Sequence, residues 1–190
     1  MEFADTMPAE SAPSSFRPDT GAGETIRFAV GAGSLGAVLV AESARGLCAI
    51  LLGDRPEGAI RELESRFPDA RLLRDDPGLD PSLRQIVAFV EDPARGLDLP
   101  LDLRGTPFQH QVWQALRDIP AGATASYSAI AAQIGAPKEA YAVGEACAAN
   151  VLAVAVPCHR VVRKDGTLAG FRWGFKRKRA LLTREGGLLA

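Results

Sequence analysis

The spacing of apolar positions changes several times along this chain. Residues 26–30, 37–40 and 47–52 are short apolar or β-branched runs between glycine-containing turns, which predicts an antiparallel meander. The period then lengthens. Between 56 and 67 the apolar positions Ile60, Leu63 and Phe67 recur three and four apart among charges, and Pro68 closes the run, as in an amphipathic helix. Residues 83–90 repeat that spacing after Pro81. From Gly105 onward the pattern is helical: Thr106 can cap a helix with Pro107 at its first position, and Phe108, Val112, Ala115 and Leu116 give it an apolar face. Ser126 can cap a further helix through Gln133, Gly135 offers a left-handed stop, and Pro137 is expected to start another helix running to about Ala149.

This pattern predicts an α/β + α chain: a tail over residues 1–23, an α/β module over 24–103 and a helical unit over 104–190. The tail is rich in Ala, Pro, Ser, Gly and Thr, with too few large apolar groups to order itself. In the helical unit, two short helices joined by a glycine turn suggest a helix-turn-helix, although paired helices are also common packing units. The second of them is almost without bulk, with Ala140, Ala142, Gly144, Ala146, Ala148 and Ala149. Such a helix can enter a narrow groove or pack tightly on its neighbours. Gly31, Gly33 and Gly36 trace the outline of a dinucleotide-binding turn, but 37–40 reads as a strand where that turn must open a helix, so a hairpin is expected.

Charge separates the halves. Residues 104–190 hold 12 Lys/Arg against 5 Asp/Glu, and the rest of the chain holds 10 against 18, so a net charge of −1 hides +7 beside −8. A basic half suits a polyanion such as DNA. No apolar run approaches the roughly 20 residues that span a bilayer, and no secretory leader is visible. The three cysteines are widely spaced and form no C-x-x-C, which argues against a disulfide framework or a zinc site and for a reducing cytosol.

The chemistry concentrates at Pro157-Cys158-His159-Arg160, delivered by the apolar run 153–156. A cysteine attacks as thiolate, so its free pKa of ~8.5 must be countered by a base or a positive neighbour. His159 and Arg160 supply both, with a water able to relay the proton if side chains alternate here. An acid behind the histidine could be Asp165 or Glu185, and spacing does not choose between them. Cys, His and an acidic or amide partner also serve acyl transfer, so a cysteine hydrolase is a competing reading.

The surrounding motifs resemble those of the O6-alkylguanine-DNA alkyltransferases (methylated-DNA–protein-cysteine methyltransferases), especially the C-terminal part of bacterial Ada response proteins. They are GTPFQHQVW at 105–113, SY at 126–127, GAPK at 135–138, ACAAN at 146–150, PCHRVV at 157–162 and GFRWG at 170–174. The resemblance is dense over 105–186 and loose over 26–103. It implies a ribonuclease-H-like first domain without that activity, and a second domain carrying the helix-turn-helix and the reactive cysteine.

By position, the resemblance makes Cys158 the alkyl acceptor, His159 its water-relayed base, Glu185 the carboxylate behind it and Asn150 the residue that fixes the cysteine turn. Substrate contacts are expected from Tyr127, which would donate to the guanine, from the backbone at Cys158 and Val161, and from the loop of Phe171, Arg172 and Trp173. DNA contacts are expected from Ser126, Lys138, Tyr141, Ala142, Gly144 and Arg160, the last also tying down the active-site loop.

The implied activity is a single-turnover transfer from O6-alkylguanine, and from O4-alkylthymine, in the minor groove of double-stranded DNA. It would be carried out by a bacterial cytosolic monomer with no metal and no cofactor. Two departures stand out: Tyr141 occupies the place of an arginine that fills the space left by a flipped base, and Phe171 that of a tyrosine. The first raises the alternative of a lesion-sensing DNA-binding protein with weak transfer. The sequence shows neither the zinc domain nor the regulatory helix-turn-helix region of Ada, so no transcriptional role through those parts is expected.

Overall fold

The three apolar runs pair as expected. In the computed structural model, which describes residues 20–186, β1 (Thr25–Gly33), β2 (Gly36–Ser43) and β3 (Gly46–Gly53) form an antiparallel meander. The expected tail over 1–23 lies outside the described residues except for its last four positions. The glycine pattern is the β1–β2 hairpin, with Gly33 opposite Gly36. At Gly36, φ is +105° and a Cβ would lie 2.3 Å from the Gly53 carbonyl oxygen, so no other residue fits the turn.

In the N-terminal half, two elements depart from the sequence reading. β4 (Arg71–Arg74) joins β1 in parallel after the crossover helix α1 (Pro56–Arg66), giving the order β3-β2-β1-β4 and a mixed sheet. Its two leucines sit between arginines with no alternation, because this edge strand is mostly exposed. Helix α2 (Asp76–Glu91) starts well before residue 83. Asp75 caps it by accepting from the Gly78 N–H at 3.0 Å, and Pro81 lies inside, just beyond the first turn, where its missing N–H deletes one bond of the ladder. α1 and α2 pack on the sheet over a core that includes Ile26, Leu39, Ile50, Leu63, Phe67 and Ile86.

The C-terminal half opens with α3 (Pro107–Arg117), started by a reciprocal cap between Thr106 and Gln109. Next come β5 (Ala125–Ser126) and α4 (Tyr127–Gln133), capped by Ser126. Gly135 takes the expected left-handed conformation at φ +77°. Helix α5 (Ala140–Ala149) begins three residues after Pro137, because a hydrogen-bonded turn from Ala136 to Glu139 redirects the chain first. α3, α4 and α5 pack together, with Trp113 Nε1 donating to the Ala146 carbonyl at 2.9 Å. The pattern did not announce α6 (Phe175–Arg184), whose cations mask its short apolar face.

The halves share one continuous buried core. The free edge of β3 is closed by two later segments. Leu47 exchanges backbone bonds with Pro100 and Asp102, while Ile50 donates to Val151 at 2.8 Å and accepts from Ala153 at 2.9 Å. The chain that leads into Cys158 is therefore anchored on the N-terminal sheet. Together these elements make a mixed α/β fold.

Candidate active site

After α5, the chain must reverse and bring Cys158 back beneath the helix it has just left. Asn150, almost fully buried, organises that return. Its Nδ2 donates to the Val156 carbonyl at 2.9 Å and to Cys158 Sγ at 3.2 Å, and its Oδ1 accepts from the Leu152 N–H at 2.8 Å. Inside the loop Val154 adopts φ +62°, an uncommon conformation for a β-branched residue that persists only because its surroundings fix it. Pro157, with φ −81° and ψ 59°, centres an inverse γ-turn in which the Cys158 N–H donates to the Val156 carbonyl at 2.8 Å. The result is a 3₁₀ turn over Cys158–Arg160 rather than an extended segment, so side chains do not alternate here. β6 (Val161–Val162) follows and pairs with β5 in parallel, which sets Tyr127 beside the cysteine turn.

Glu185, rather than Asp165, stands behind the histidine. Its side chain is 1 % exposed and its Oε1 lies 2.8 Å from His159 Nε2, while Asp165 is occupied with Thr167. Arg160 grips the same carboxylate with two bonds, at 3.0 and 2.8 Å, and donates to the Ile119 carbonyl. Burial alone would raise the Glu185 pKa, but hydrogen bonds from His159 and Arg160 outweigh it and hold the group at about 2. An ionised carboxylate only accepts, so the proton of the imidazole sits on Nε2. Nδ1 is left as a buried lone pair with no hydrogen-bond partner among the described residues. Burial also depresses the His159 pKa, favouring the neutral ring.

Cys158 lies on the wall of a cavity of about 400 Å³, with Tyr127, Gly144, Cys147, Ala148, Gly170, Phe171 and Arg172. Burial pushes its thiol up, while the Asn150 hydrogen bond and the charge of Lys178 pull it down. Tyr127 is likewise raised by burial, which keeps its hydroxyl protonated as a donor. Phe171 stands edge-on between His159 and Trp173, with ring centroids 6.3 and 5.2 Å away.

The sequence-derived residues thus form two groups around the sulfur. In one, Asn150 bonds Cys158 while His159 and Arg160 meet on Glu185; in the other, Tyr127, Gly144, Phe171 and Arg172 line the cavity. Val161 and Trp173 are buried beside the cavity without lining it. The backbone carbonyls of Cys158 and Val161 already accept from the Val161 N–H and from Lys178 Nζ, each keeping a second lone pair. Ser126 caps α4, Lys138 is exposed in the turn before α5, and Tyr141 projects from α5 with 82 % of its surface exposed, next to Ala142 and about one turn from Gly144.

Sequence reasoning missed Lys178. It is fully buried on α6, donates to the carbonyls of Val161 and Gly170, and sits near both cavity thiols, with burial lowering its pKa to about 8. A lysine in a run of cations reads as solvated surface, and only the unannounced helix α6 turns it inward. Among the described residues no cluster of His, Cys, Asp and Glu is arranged to hold a metal, and no helix is long and apolar enough to cross a membrane.

Residues 107–187 match the family model of the 6-O-methylguanine DNA methyltransferase DNA-binding domain. The chain is 53 % identical over 160 residues to the bifunctional transcriptional activator/DNA repair enzyme Ada of Escherichia coli, covering 84 % of this chain and 45 % of Ada. It thus spans less than half the length of that relative. It is 40 % identical over 147 residues to the inducible methylated-DNA–protein-cysteine methyltransferase of Bacillus subtilis, covering 77 % of this chain and 82 % of that protein. The crystal structure of Mycobacterium tuberculosis OGT in complex with DNA superposes with a TM-score of 0.69 at 34 % identity, covering 84 % of this chain and 92 % of that one. A buried cysteine on a cavity wall, followed by a His–Glu pair, on a mixed α/β fold with a basic helical half, defines the class. The chain belongs to the O6-methylguanine-DNA methyltransferase family.

Proposed function

We propose that this chain repairs DNA by moving the alkyl group of O6-alkylguanine, and of O4-alkylthymine, onto Cys158, once per molecule. The observation that carries the reading is the free Nδ1 lone pair of His159, fixed by an ionised Glu185 next to a thiol that opens on a cavity. Cys158 Sγ attacks the alkyl carbon in line. The S–C bond forms, the C–O6 bond breaks, and the bonding pair leaves with the purine. The thiol proton passes through a water to His159 Nδ1, and Glu185 stabilises the imidazolium. Tyr127 donates a hydrogen bond to the departing guanine, offsetting its negative charge. The thioether has no route back, so protein and repaired base are consumed one for one. Neither a metal nor a cofactor enters any step.

An O6-alkyl group lies inside the duplex stack, so the nucleotide is turned out into the cavity before the sulfur reaches it. In this reading α4 and α5 act as a helix-turn-helix, and the small-residue face of α5 enters the minor groove. Ser126, Lys138, Tyr141, Ala142, Gly144 and Arg160 serve the DNA step. Residues 24–103 form a ribonuclease-H-like unit and 104–190 the catalytic unit, and the protein acts as a monomer in the bacterial cytosol. Tyr141 wedges the stack by ring stacking and lacks the charge of a guanidinium, so it modulates base extrusion and leaves the thiol chemistry untouched.

Incubation with a duplex bearing O6-methylguanine, followed by peptide mass spectrometry, is expected to place one methyl on the Cys158 peptide and none after Cys158→Ser. An unmodified Cys158 peptide overturns the proposal. Tyr141→Arg is expected to speed transfer from the duplex and to leave transfer from the free modified base unchanged.

A further inference from the structure

The strap 170–177, which supplies Phe171 and Arg172 to the cavity wall, is held from the N-terminal half. Arg172 Nε donates to Glu62 Oε1 on α1 at 2.6 Å, and its Nη1 donates to the Ala148 carbonyl, on the cavity side of α5, at 2.9 Å. Five residues on, Arg177 pairs with Asp54 at 2.6 Å and donates to the Leu35 carbonyl. The two ties differ in what they reach. Glu62 is 26 % and Arg172 32 % exposed at the side chain, and their link continues to Ala148 on α5, which lines the same cavity as Cys158. Asp54 is 94 % exposed, and Arg177 lies off the cavity.

We propose that Glu62 is a positioning residue that sets the width of the cavity over Cys158, and with it the size of alkyl group the site accepts, by holding Arg172 against α5. The specificity assignment rests on the alkyl-transfer reading above; the cavity-width assignment does not. Glu62 touches neither the sulfur nor the space in front of it. It acts by fixing a planar guanidinium whose second edge bonds a backbone carbonyl, so the strap and α5 are kept one side-chain length apart. Neutralising Glu62 frees the guanidinium to water and lets the strap move outward. A narrow pocket favours a methyl group, and a looser one admits larger groups at the cost of methyl positioning.

The first test is independent of alkyl transfer. N-ethylmaleimide labelling of Cys158, followed by peptide mass spectrometry, is expected to run about three- to fivefold faster in Glu62→Gln than in the parent chain, the size expected for loss of a part-exposed ion pair. Asp54→Asn is expected to label at the parent rate. Equal labelling of Glu62→Gln and the parent chain overturns the proposal, as does an Asp54→Asn rate matching that of Glu62→Gln.

The second test reads specificity. The ratio of benzyl to methyl transfer from O6-substituted guanine is expected to rise about threefold or more in Glu62→Gln, where a general loss of fold would lower both rates together. Faster labelling with an unchanged ratio removes the specificity assignment alone. A parent chain that labels normally yet accepts no methyl group removes the transfer reading and leaves the cavity-width assignment standing.

Discussion

A carboxylate held at about 2 inside a protein couples the site's chemistry to the stability of the whole chain. Glu185 reaches that value because His159 and Arg160 both donate to it, against the opposing effect of burial. Its folded pKa lies below its ordinary 4.5, so the stability it contributes is complete above that value and is lost as pH falls from about 4.5 towards about 2. With the side chain 1 % exposed, a shift of this size corresponds to on the order of 3 kcal/mol. Glu185→Gln should therefore lose stability at neutral pH and show a flatter decline through the acid window. Urea unfolding midpoints compared between about pH 6 and about pH 3 report this, and parallel decline in the two chains would contradict it. The same substitution exchanges one acceptor oxygen for a donor amide and removes the charge that stabilises the imidazolium, so the His159 tautomer is no longer fixed and alkyl transfer should fall by about two orders of magnitude, the lower end of the scale for a general base.

Among the elements, α5 separates a structural use of small residues from a functional one. Gly144 lies mid-helix, where glycine costs about 1 kcal/mol relative to alanine. A Cβ placed there would meet only the Tyr127 ring, at 3.8 and 3.9 Å, which is ordinary contact. The fold itself therefore gives no reason to exclude alanine. Gly144→Ala should raise the thermal midpoint, consistent with roughly 0.5–1 kcal/mol of added stability, and should slow alkyl transfer because the added methyl enters the cavity. A stabilised chain with undiminished transfer would show that the small face has no part in ligand approach.

The sequence disclosed α4, most of α5 and the place of the cysteine because these rest on local rules, namely Ser126 as a cap and Gly135 as a stop for α4, alanine and glycine spacing for α5, and a Pro-Cys-His-Arg run for the site. It disclosed little of β4, α6 or the inward turn of Lys178. Those depend on pairing and packing between residues far apart in the chain, and half of their own side chains are charged. The choice of Glu185 over Asp165 was likewise a long-range matter. Twenty-six residues separate it from His159, and only the packing of α6 against the cysteine turn brings them to 2.8 Å.

At the scale of the whole molecule, the charge split and the shared core pull the two halves into different roles without separating them. The basic half carries the sulfur, yet the loop that carries it is not self-supporting. Val151 and Ala153 exchange backbone bonds with Ile50 on β3, and Leu152 and Val154 are buried in the common core. Arg172, Arg177 and Arg184 add side-chain ties to Glu62, Asp54 and Glu91.

A fragment spanning 104–190 would leave those backbone groups and apolar side chains facing water. The first effect strips the loop of partners that water replaces with little net loss, but the second removes burial worth about 25 cal/mol per Å². Burial is therefore the larger loss, and it falls on the segment that positions Cys158. The fragment should keep helical far-ultraviolet circular dichroism from α3, α4 and α5, lose fixed near-ultraviolet signal, and transfer alkyl groups at least ten times more slowly than the full chain. Adding residues 24–103 in trans should restore part of that rate in a concentration-dependent way, since the same β3 edge then re-forms between two chains. A fragment that transfers at the full-length rate would mean that the sheet contributes nothing to the aim of the sulfur, and that the bonds from Ile50 merely accompany a loop already fixed by Asn150.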